Sequence, residues 1–509
     1  MKTALEANSN HPSPAGPAEA DQVQRPTAND ALTQSHTDPH RLSAAFVRAT
    51  ATDSLGRTTL CFWKGDCWRW KGTAYVRVND KELEADVLQF IRKDLDDRQA
   101  MDHYGNALKA SPHLMKSTIT ALHSDNLIRG NPDQPVGLGA LKDVKGLIST
   151  QSGLLNIKQL VDHDTVSILP HTPEWFSTTS LPYAFDQAAK CPKWRNFLEW
   201  MFDGDSERIS LVQEWMGYCL TPGNSLQKFL VLTGSGANGK SVLLQVLISI
   251  LGQDNVSAIS PAAFRDKFGL IALIGKLANV CADVDIDHID EGRLKALVGG
   301  DLITADRKFR DAVEFKCSAK IIFATNNLPR FKDTTEGIWR RLCILPCLAS
   351  IPASEQNFRL TDDLLEEAAG IFNFAVEGAR RLHQINGFTS STVSEAAKEA
   401  LRQKGDPVRA FLRDRCVQEF GTSVTVDQLQ AAASQWAADH SVSFTDEMLG
   451  KGVKALWGIE RQKRLVTVDR DRPWEYRGIR LGTDWAFVPP DFLASISGTQ
   501  VAANVGGDQ

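Results

Sequence analysis

The stretch FLVLTGSGANGKSVLLQVL, Phe229 to Leu247, limits what this chain can fold into more than any other. Four apolar residues, Phe229 to Leu232, read as a buried strand, and Ser241 to Leu251 read as a helix. Between them lies G-x-x-x-x-G-K-S: Gly234, Ser235, Gly236, Ala237, Asn238, Gly239, Lys240 and Ser241. A glycine-rich turn from strand to helix aims backbone N–H groups at a polyphosphate, and the helix N-terminus adds its partial positive charge. Lys240 would reach the terminal phosphates as a point charge, and the Ser241 hydroxyl would ligate Mg²⁺. A chance glycine turn is the alternative. The full pattern in its strand–turn–helix context disfavours it.

A nucleotide loop needs an acid beside it to hold the metal shell and poise water. KLANVCADVD (Lys276 to Asp285) supplies an apolar strand ending at Asp283, with Asp285 as second choice. A further apolar strand, AKIIFATNNLP from Ala319, exits through Thr325 and Asn326, where an amide can sense the γ-phosphate. GIWRRLCILP carries Arg340 and Arg341, candidate cations for transition-state charge on a neighbour's nucleotide. Between the two strands, 290–320 reads as a helix and then a hairpin whose tip holds Arg307, Lys308, Phe309 and Arg310. Cations beside a ring suit a single nucleic-acid strand. A solvated charged hairpin is the plainer reading, and Asp306 and Asp311 favour it.

Composition narrows the class. The chain has 509 residues, enough for about three domains. Net charge is −5, so any nucleic acid must be gripped by a local basic site. No long apolar run or apolar leader is evident, so the expectation is a cytoplasmic chain without a membrane partner. The nine cysteines show no repeated C-x-x-C, and Cys281, Cys317, Cys343 and Cys347 read as buried thiols, a zinc site being the alternative. Thr58 to Val78 alternates as hairpins turning at Lys64-Gly65-Asp66. Its Trp63, Trp68 and Trp70 read first as sheet core and second as a platform for bases. Lys81 to Leu95 and Leu364 to Leu382 have helical spacing.

The order GSGANGKS, LANVCADVD, LKALVGGDLITADRKF, KIIFATNNLP, WRRLCILP resembles a superfamily 3 helicase, nearest the phage- and plasmid-borne primase-helicases and the poxvirus primase-helicase group. Upstream, GLLNIKQL and LPYAFDQAAKCPKWRNFLEWMFDGD are similar to that group's helicase-preceding domain, and YRGIRL is similar to its C-terminal winged-helix segment. The resemblance implies an α/β fold. Residues 1–40, rich in Ala, Asn, Pro, Ser, Asp and His, read as a disordered tail; the resemblance, over about 41–484, places an N-terminal helicase-associated domain at 41–190 and an AAA+-like ATPase core with helical flanks at 191–400. A winged-helix-like domain follows at 401–484; the last stretch, 485–509, reads as a flexible tail because chain ends fray. The resemblance implies ATP and Mg²⁺ as cofactors, a hexameric ring, and single-stranded or forked DNA as partner. Lys240 and Ser241 become the Walker A pair, Asp283 the Walker B acid, Asn326 the sensor, Lys308 the DNA-contacting hairpin residue, and Arg341 or Arg340 the finger.

Two departures stand out. The family usually carries Glu at the position of Asp283, often after another acid, and here Ala282 precedes it. Larger relatives also carry a primase domain upstream, and 41–190 shows no paired-acid metal motif. The expectation is therefore a helicase of a mobile element working with a separate primase or initiator. An ATP-switched origin-binding loader is the main alternative; residual primase activity in 41–190 and a small-molecule kinase are the others.

Overall fold

The computed structural model describes residues 36–482, apart from 131, 140, 142–143, 145, 221–222, 283, 285–288, 309, 327–330, 332–335, 353, 355 and 464–473. Asp283, Asp285, Phe309 and both expected tails (but for 36–40) lie outside the described residues. The chain divides into two compact units, Met1–Phe62 with Val78–Leu127, and Trp63–Arg77 with Ile128–Gln509.

Among the described residues the first unit is built on the helices α1 (Pro39–Thr50), α2 (Asp80–Asp97) and α3 (Pro112–Asp125). Each starts on a side-chain cap, from Asp38, Asn79 and Ser111 respectively. Such caps satisfy N–H groups that have no partner inside the helix. Leu42, Phe46, Val87, Ile91 and Leu122 are fully buried between them. Arg41 ties α1 to α2 through Asp94 at 2.8 Å.

The second unit centres on a five-stranded sheet in which every pairing is parallel. Its N-terminal pieces are β1 (Asp66–Trp70) and β2 (Tyr75–Arg77), an antiparallel pair, then the helices α4 (Pro192–Phe202) and α5 (Ser206–Leu220). The sheet itself comprises β3 (Phe229–Thr233), β4 (Val256–Ser257), β5 (Ala278–Cys281), β8 (Lys320–Thr325) and β9 (Leu342–Pro346), with helices α6 (Lys240–Leu251) and α7 (Glu291–Gly299) between. The hairpin β6 (Leu302–Arg307) and β7 (Arg310–Lys316) precedes β8. Spatial order is β4-β5-β8-β3-β9.

Parallel strands need both faces covered, which explains the unbroken apolar runs. Alternation sends Leu230 and Leu232 into one core with α4, α5 and α6. It sends Phe229 and Val231 into the other, with α7 and the base of the hairpin. Hence Phe229 to Thr233 are all buried.

The helix expected over 364–382 is instead two, α8 (Leu360–Leu365) and α9 (Ala368–Ile385). The break has a use. Cys191 gives α4 no side-chain cap, and the Glu367 carboxylate accepts from the backbone N–H groups of Lys193 and Trp194, both at 3.1 Å. Helices α5 and α9 approach until glycine is obligatory. A Cβ on Gly217 would lie 2.2 Å from the Ala379 nitrogen, and one on Gly378 would lie 1.9 Å from the Gln213 oxygen.

After α10 (Thr392–Gly405) comes a module with its own core: α11 (Pro407–Arg415), β10 (Cys416–Thr425), α12 (Val426–Asp439), α13 (Asp446–Trp457), β11 (Gln462–Lys463) and β12 (Trp474–Leu481). Its strands form an antiparallel sheet ordered β10-β12-β11. Phe411, Leu412, Leu429, Trp436, Val453 and Ile479 fill its centre.

Candidate nucleotide and nucleic-acid sites

The parallel register makes β3, β8 and β9 end together, with Thr233 beside Thr325 and beside Pro346. The Gly234–Ser241 loop leaves from that edge, and so does Asn326. Positive φ is concentrated in the loop: Gly236 at 103°, Ala237 at 51° and Gly239 at 79°. Left-handed backbone is costly for any residue but glycine, so Ala237 stores strain of about 1–2 kcal/mol. Gly234 is needed for close approach, since a Cβ there would meet Asn238 Nδ2 at 2.2 Å and the Cys347 oxygen at 2.3 Å.

Lys240 is 5% exposed at the start of α6. Its Nζ donates to the Gly234 oxygen at 2.7 Å, Asn238 Oδ1 at 3.0 Å and Asn326 Oδ1 at 3.1 Å. Asn238 is itself fixed, its Nδ2 donating to the Cys347 oxygen at 3.1 Å. These three acceptors are neutral oxygens, and Lys240 lines a cleft of 930 Å³. Ser241, one residue on, is exposed. Burial pushes the Cys347 thiol beneath the loop up to about 12, so it stays neutral.

Arg208, on α5, braces this edge. Its Nε donates to Asp205 Oδ2 at 2.6 Å, Nη1 to the Pro346 oxygen at 3.1 Å and Nη2 to the Phe202 oxygen at 2.8 Å. One guanidinium therefore joins the end of α4, the start of α5 and the end of β9. Sequence reasoning passed over it, because an Asp-x-x-Arg pair at a helix start looks like ordinary surface charge.

Arg340 and Arg341 lie at the other end of the sheet. Arg341 immediately precedes β9, and its backbone oxygen accepts from the Phe229 N–H at 2.9 Å, at the beginning of β3. Five strand residues at about 3.3 Å each separate that end from the glycine loop, roughly 16 Å. Arg340 is exposed. Arg341 Nη1 donates to the Gly337 oxygen at 2.7 Å, while its Nε is buried without a hydrogen-bond partner. Burial holds the Arg341 guanidinium below its ordinary pKa, and neighbouring Arg340 adds to the effect.

The hairpin β6–β7 is antiparallel, with Leu302 opposite Lys316 and a bulge between Ala305 and Arg307. Lys308 is exposed at the tip. Arg307 is not free: its side chain is only 11% exposed, and Nη2 pairs with Asp66 Oδ2 at 3.0 Å. Asp66 also takes Arg310 Nη1 at 2.8 Å and Arg77 Nη2 at 2.9 Å, both on Oδ1. Beside it, Lys64 Nζ donates to the Glu314 oxygen at 2.8 Å. The turn Lys64-Gly65-Asp66, legible in the sequence only as a turn, grips the side of the hairpin. The sole signal was an acid in a tight turn, which pattern reading cannot pair with cations so distant in sequence.

Trp63 packs in the core, while Trp68 and Trp70 are half-buried. Trp63 is 2% exposed, and its ring packs against Trp68 and Phe176 at 5.8 and 5.5 Å. Trp70 packs beside Tyr75 at 5.5 Å. Cys317 and Cys343 are likewise thiols raised by burial, to about 12 and about 11. No helix among the described residues is long and apolar enough to cross a membrane.

Comparison with known proteins gives two family matches. The family described as "D5 N terminal like" matches residues 54–203, and a family of unknown function, DUF5906, matches residues 232–341. The helicase-named protein L207/L206 of Acanthamoeba polyphaga mimivirus is 35% identical over 145 residues, which are 26% of this chain and 14% of that protein. The helicase-named protein 121R of Invertebrate iridescent virus 3 is 24% identical over 173 residues, 32% of this chain and 18% of that one. The matched stretches thus span less than a fifth of either relative. Among solved structures, the apo C-terminal region of NrS-1 aligns with 83% of this chain and 96% of its own, at 14% identity and a TM-score of 0.44. A second structure of that region, residues 305–718, aligns with 86% and 99%, at 14% identity and a TM-score of 0.45.

Proposed function

We propose that this chain, which belongs to the phage and viral D5-like primase-helicase family, is an ATP-dependent DNA helicase that translocates on single-stranded DNA during replication of a mobile element. The observation that carries the reading is the convergence of Lys240 with Gly234, Asn238 and Asn326 at one edge of the parallel sheet. In this reading Lys240 exchanges the neutral oxygens of Gly234, Asn238 and Asn326 for phosphate oxygens. Gly234 to Ser241 cradle the triphosphate, and Asn326 senses its terminal phosphate. Ser241 holds Mg²⁺ together with Asp283, the Walker B acid. The strand rank 5-1-4-3-2, read from β9 to β4, supports an AAA+-like P-loop core.

Arg340 and Arg341 stand at the end of the sheet away from their own glycine loop. A finger role then requires a neighbouring subunit, which supports a ring, expected to be a hexamer. Head-to-tail interfaces of this kind close into rings. The ring resolves the charge problem of an acidic chain, since positive charge need only line the hole. Lys308, exposed at the hairpin tip, would face the strand. The order helix–strand–helix–helix–strand–strand over 407–481 supports a winged-helix-like C-terminal domain. Work in the cytoplasm of a bacterial cell or infected host, beside a separate primase or initiator, completes the proposal.

That same C-terminal module favours one second reading, an ATP-switched origin-binding loader with little unwinding of its own. ATP hydrolysis and strand separation on a forked duplex decide between them, with wild type, Lys240→Ala and Lys308→Ala in parallel. The motor reading expects wild type to unwind, Lys240→Ala to do neither, and Lys308→Ala to hydrolyse ATP without unwinding. Hydrolysis without strand separation by wild type, even at low salt where phosphate contacts are strongest, overturns the motor in favour of the loader.

A further inference from the structure

The glycine loop accounts for phosphates. The wall facing it is aromatic, and nothing so far uses it. Helix α4 presents Trp194, Phe197 and Trp200 at a spacing of three, which lines them along one helical face. Trp194 and Phe197 have centroids 5.5 Å apart with planes 30° apart, and Phe197 and Trp200 follow at 6.1 Å and 32°. Exposure climbs along this ladder, from 0% at Trp194 through 6% at Phe197 to 40% at Trp200. The ladder abuts the loop directly, since a Cβ on Gly239 would lie 3.1 Å from Phe197 Cζ and 3.4 Å from Trp200 Cζ3. Phe358 lines the same cleft and is 93% exposed.

A phenylalanine left almost wholly in water contributes nothing by burial to the folded chain. Here it shares a cleft with a half-open indole and a phosphate-type loop. We propose that Trp200 and Phe358 form a stacking clamp for the purine base of the nucleoside triphosphate whose phosphates lie on Gly234–Ser241. The inference rests on the nucleotide reading above and adds the base subsite to it. A flat, apolar, polarisable ligand fits, because aromatic faces stack offset on one another and gain beyond simple area burial. A purine offers the larger face. Gln245, on α6 in the same cleft, accepts from Thr361 Oγ1 through Oε1 at 3.0 Å, which ties the helix after the loop to the α8 side of the clamp.

The test uses the full chain and 2-aminopurine riboside triphosphate with Mg²⁺. Fluorescence anisotropy reports binding, and intensity at saturation reports stacking, because a stacked 2-aminopurine is quenched. Wild type is expected to bind with strong quenching. Trp200→Ala is expected to lose about tenfold in affinity, toward the low end of base–aromatic stacking, and to relieve most of the quenching in the ligand that still binds. Trp200→Phe should restore much of both. Phe358→Ala, at a solvent-exposed position where folding is not at stake, should relieve part of the quenching. Binding by wild type without quenching, or quenching that persists in both alanine variants, overturns the clamp and leaves the phosphate loop standing, provided Lys240→Ala still abolishes binding. Absence of binding by wild type overturns both readings.

Discussion

Replacing Asp66 by Ala removes the single carboxylate on which Arg77, Arg307 and Arg310 converge. Side-chain exposures differ: 8% for Asp66, 11% for Arg307, 29% for Arg310 and 56% for Arg77. Arg77 is a surface pair, contributing about 0–1 kcal/mol. Arg307 is nearly a buried pair, and losing one partner of a buried pair costs about 3–5 kcal/mol, because the other charge is left uncompensated. Arg310 falls between. The low end of the buried figure, about 3 kcal/mol, is the reasonable total, since the freed arginines swing into solvent and recover hydration. At 1.4 kcal/mol per factor of ten, local opening of the hairpin rises roughly a hundredfold. The assay is amide hydrogen exchange across 302–316, where local opening governs the rate. Exchange there should accelerate by about two orders of magnitude, while β3 and β8 keep their protection. Exchange at 302–316 within threefold of wild type would refute the claim that Asp66 holds the hairpin.

Gly239→Ala puts a Cβ at φ 79° and 3.1 Å from Phe197; the backbone alone costs the folded chain about 1–2 kcal/mol, so thermal unfolding should shift down modestly, and a loop displaced from Phe197 should lower steady-state ATP turnover. Rings mixed from Lys240→Ala and Arg340→Ala/Arg341→Ala subunits should recover ATP hydrolysis relative to either preparation alone, because an intact loop then meets an intact arginine pair across some interfaces; no recovery at any mixing ratio counts against the trans assignment. Burial alone would raise the Asp205 carboxyl, but the hydrogen bonds from Arg208 outweigh it and hold its pKa below the ordinary aspartate value. A lowered folded pKa means the stabilisation is fully present above the unfolded value, about 4, and is lost as pH falls through the folded one. Tryptophan fluorescence followed from pH 5 to pH 3 should show acid loosening that Asp205→Asn already displays, in part, at pH 5.

The local elements were legible because their causes are local. An apolar run before glycines gave β3 and the loop; helical spacing gave α2; glycines followed by ITADRKFRDAVEFK gave the β6–β7 hairpin, and alternation over Thr58 to Val78 gave the turn at Lys64-Gly65-Asp66. The helix expected over 364–382 is interrupted at Glu366–Glu367, where the Glu367 side chain caps α4, a contact with a helix remote in sequence. The site divides the same way. Glycines, a lysine and a serine at fixed spacing announce a phosphate loop from any single sequence. That Lys240 Nζ lies 3.1 Å from Asn326 depends on strand order, which places β8 beside β3 although two other strands of the sheet, β4 and β5, lie between them in the chain. The same order sets Arg341 at the opposite end of β9, and the fold alone brings Asp66 to Arg307. Sequence patterns record what a residue requires of its near neighbours. Which distant residues answer a charge or cover a face is decided by packing, because those contacts form only once the sheet has assembled and the two faces have been filled.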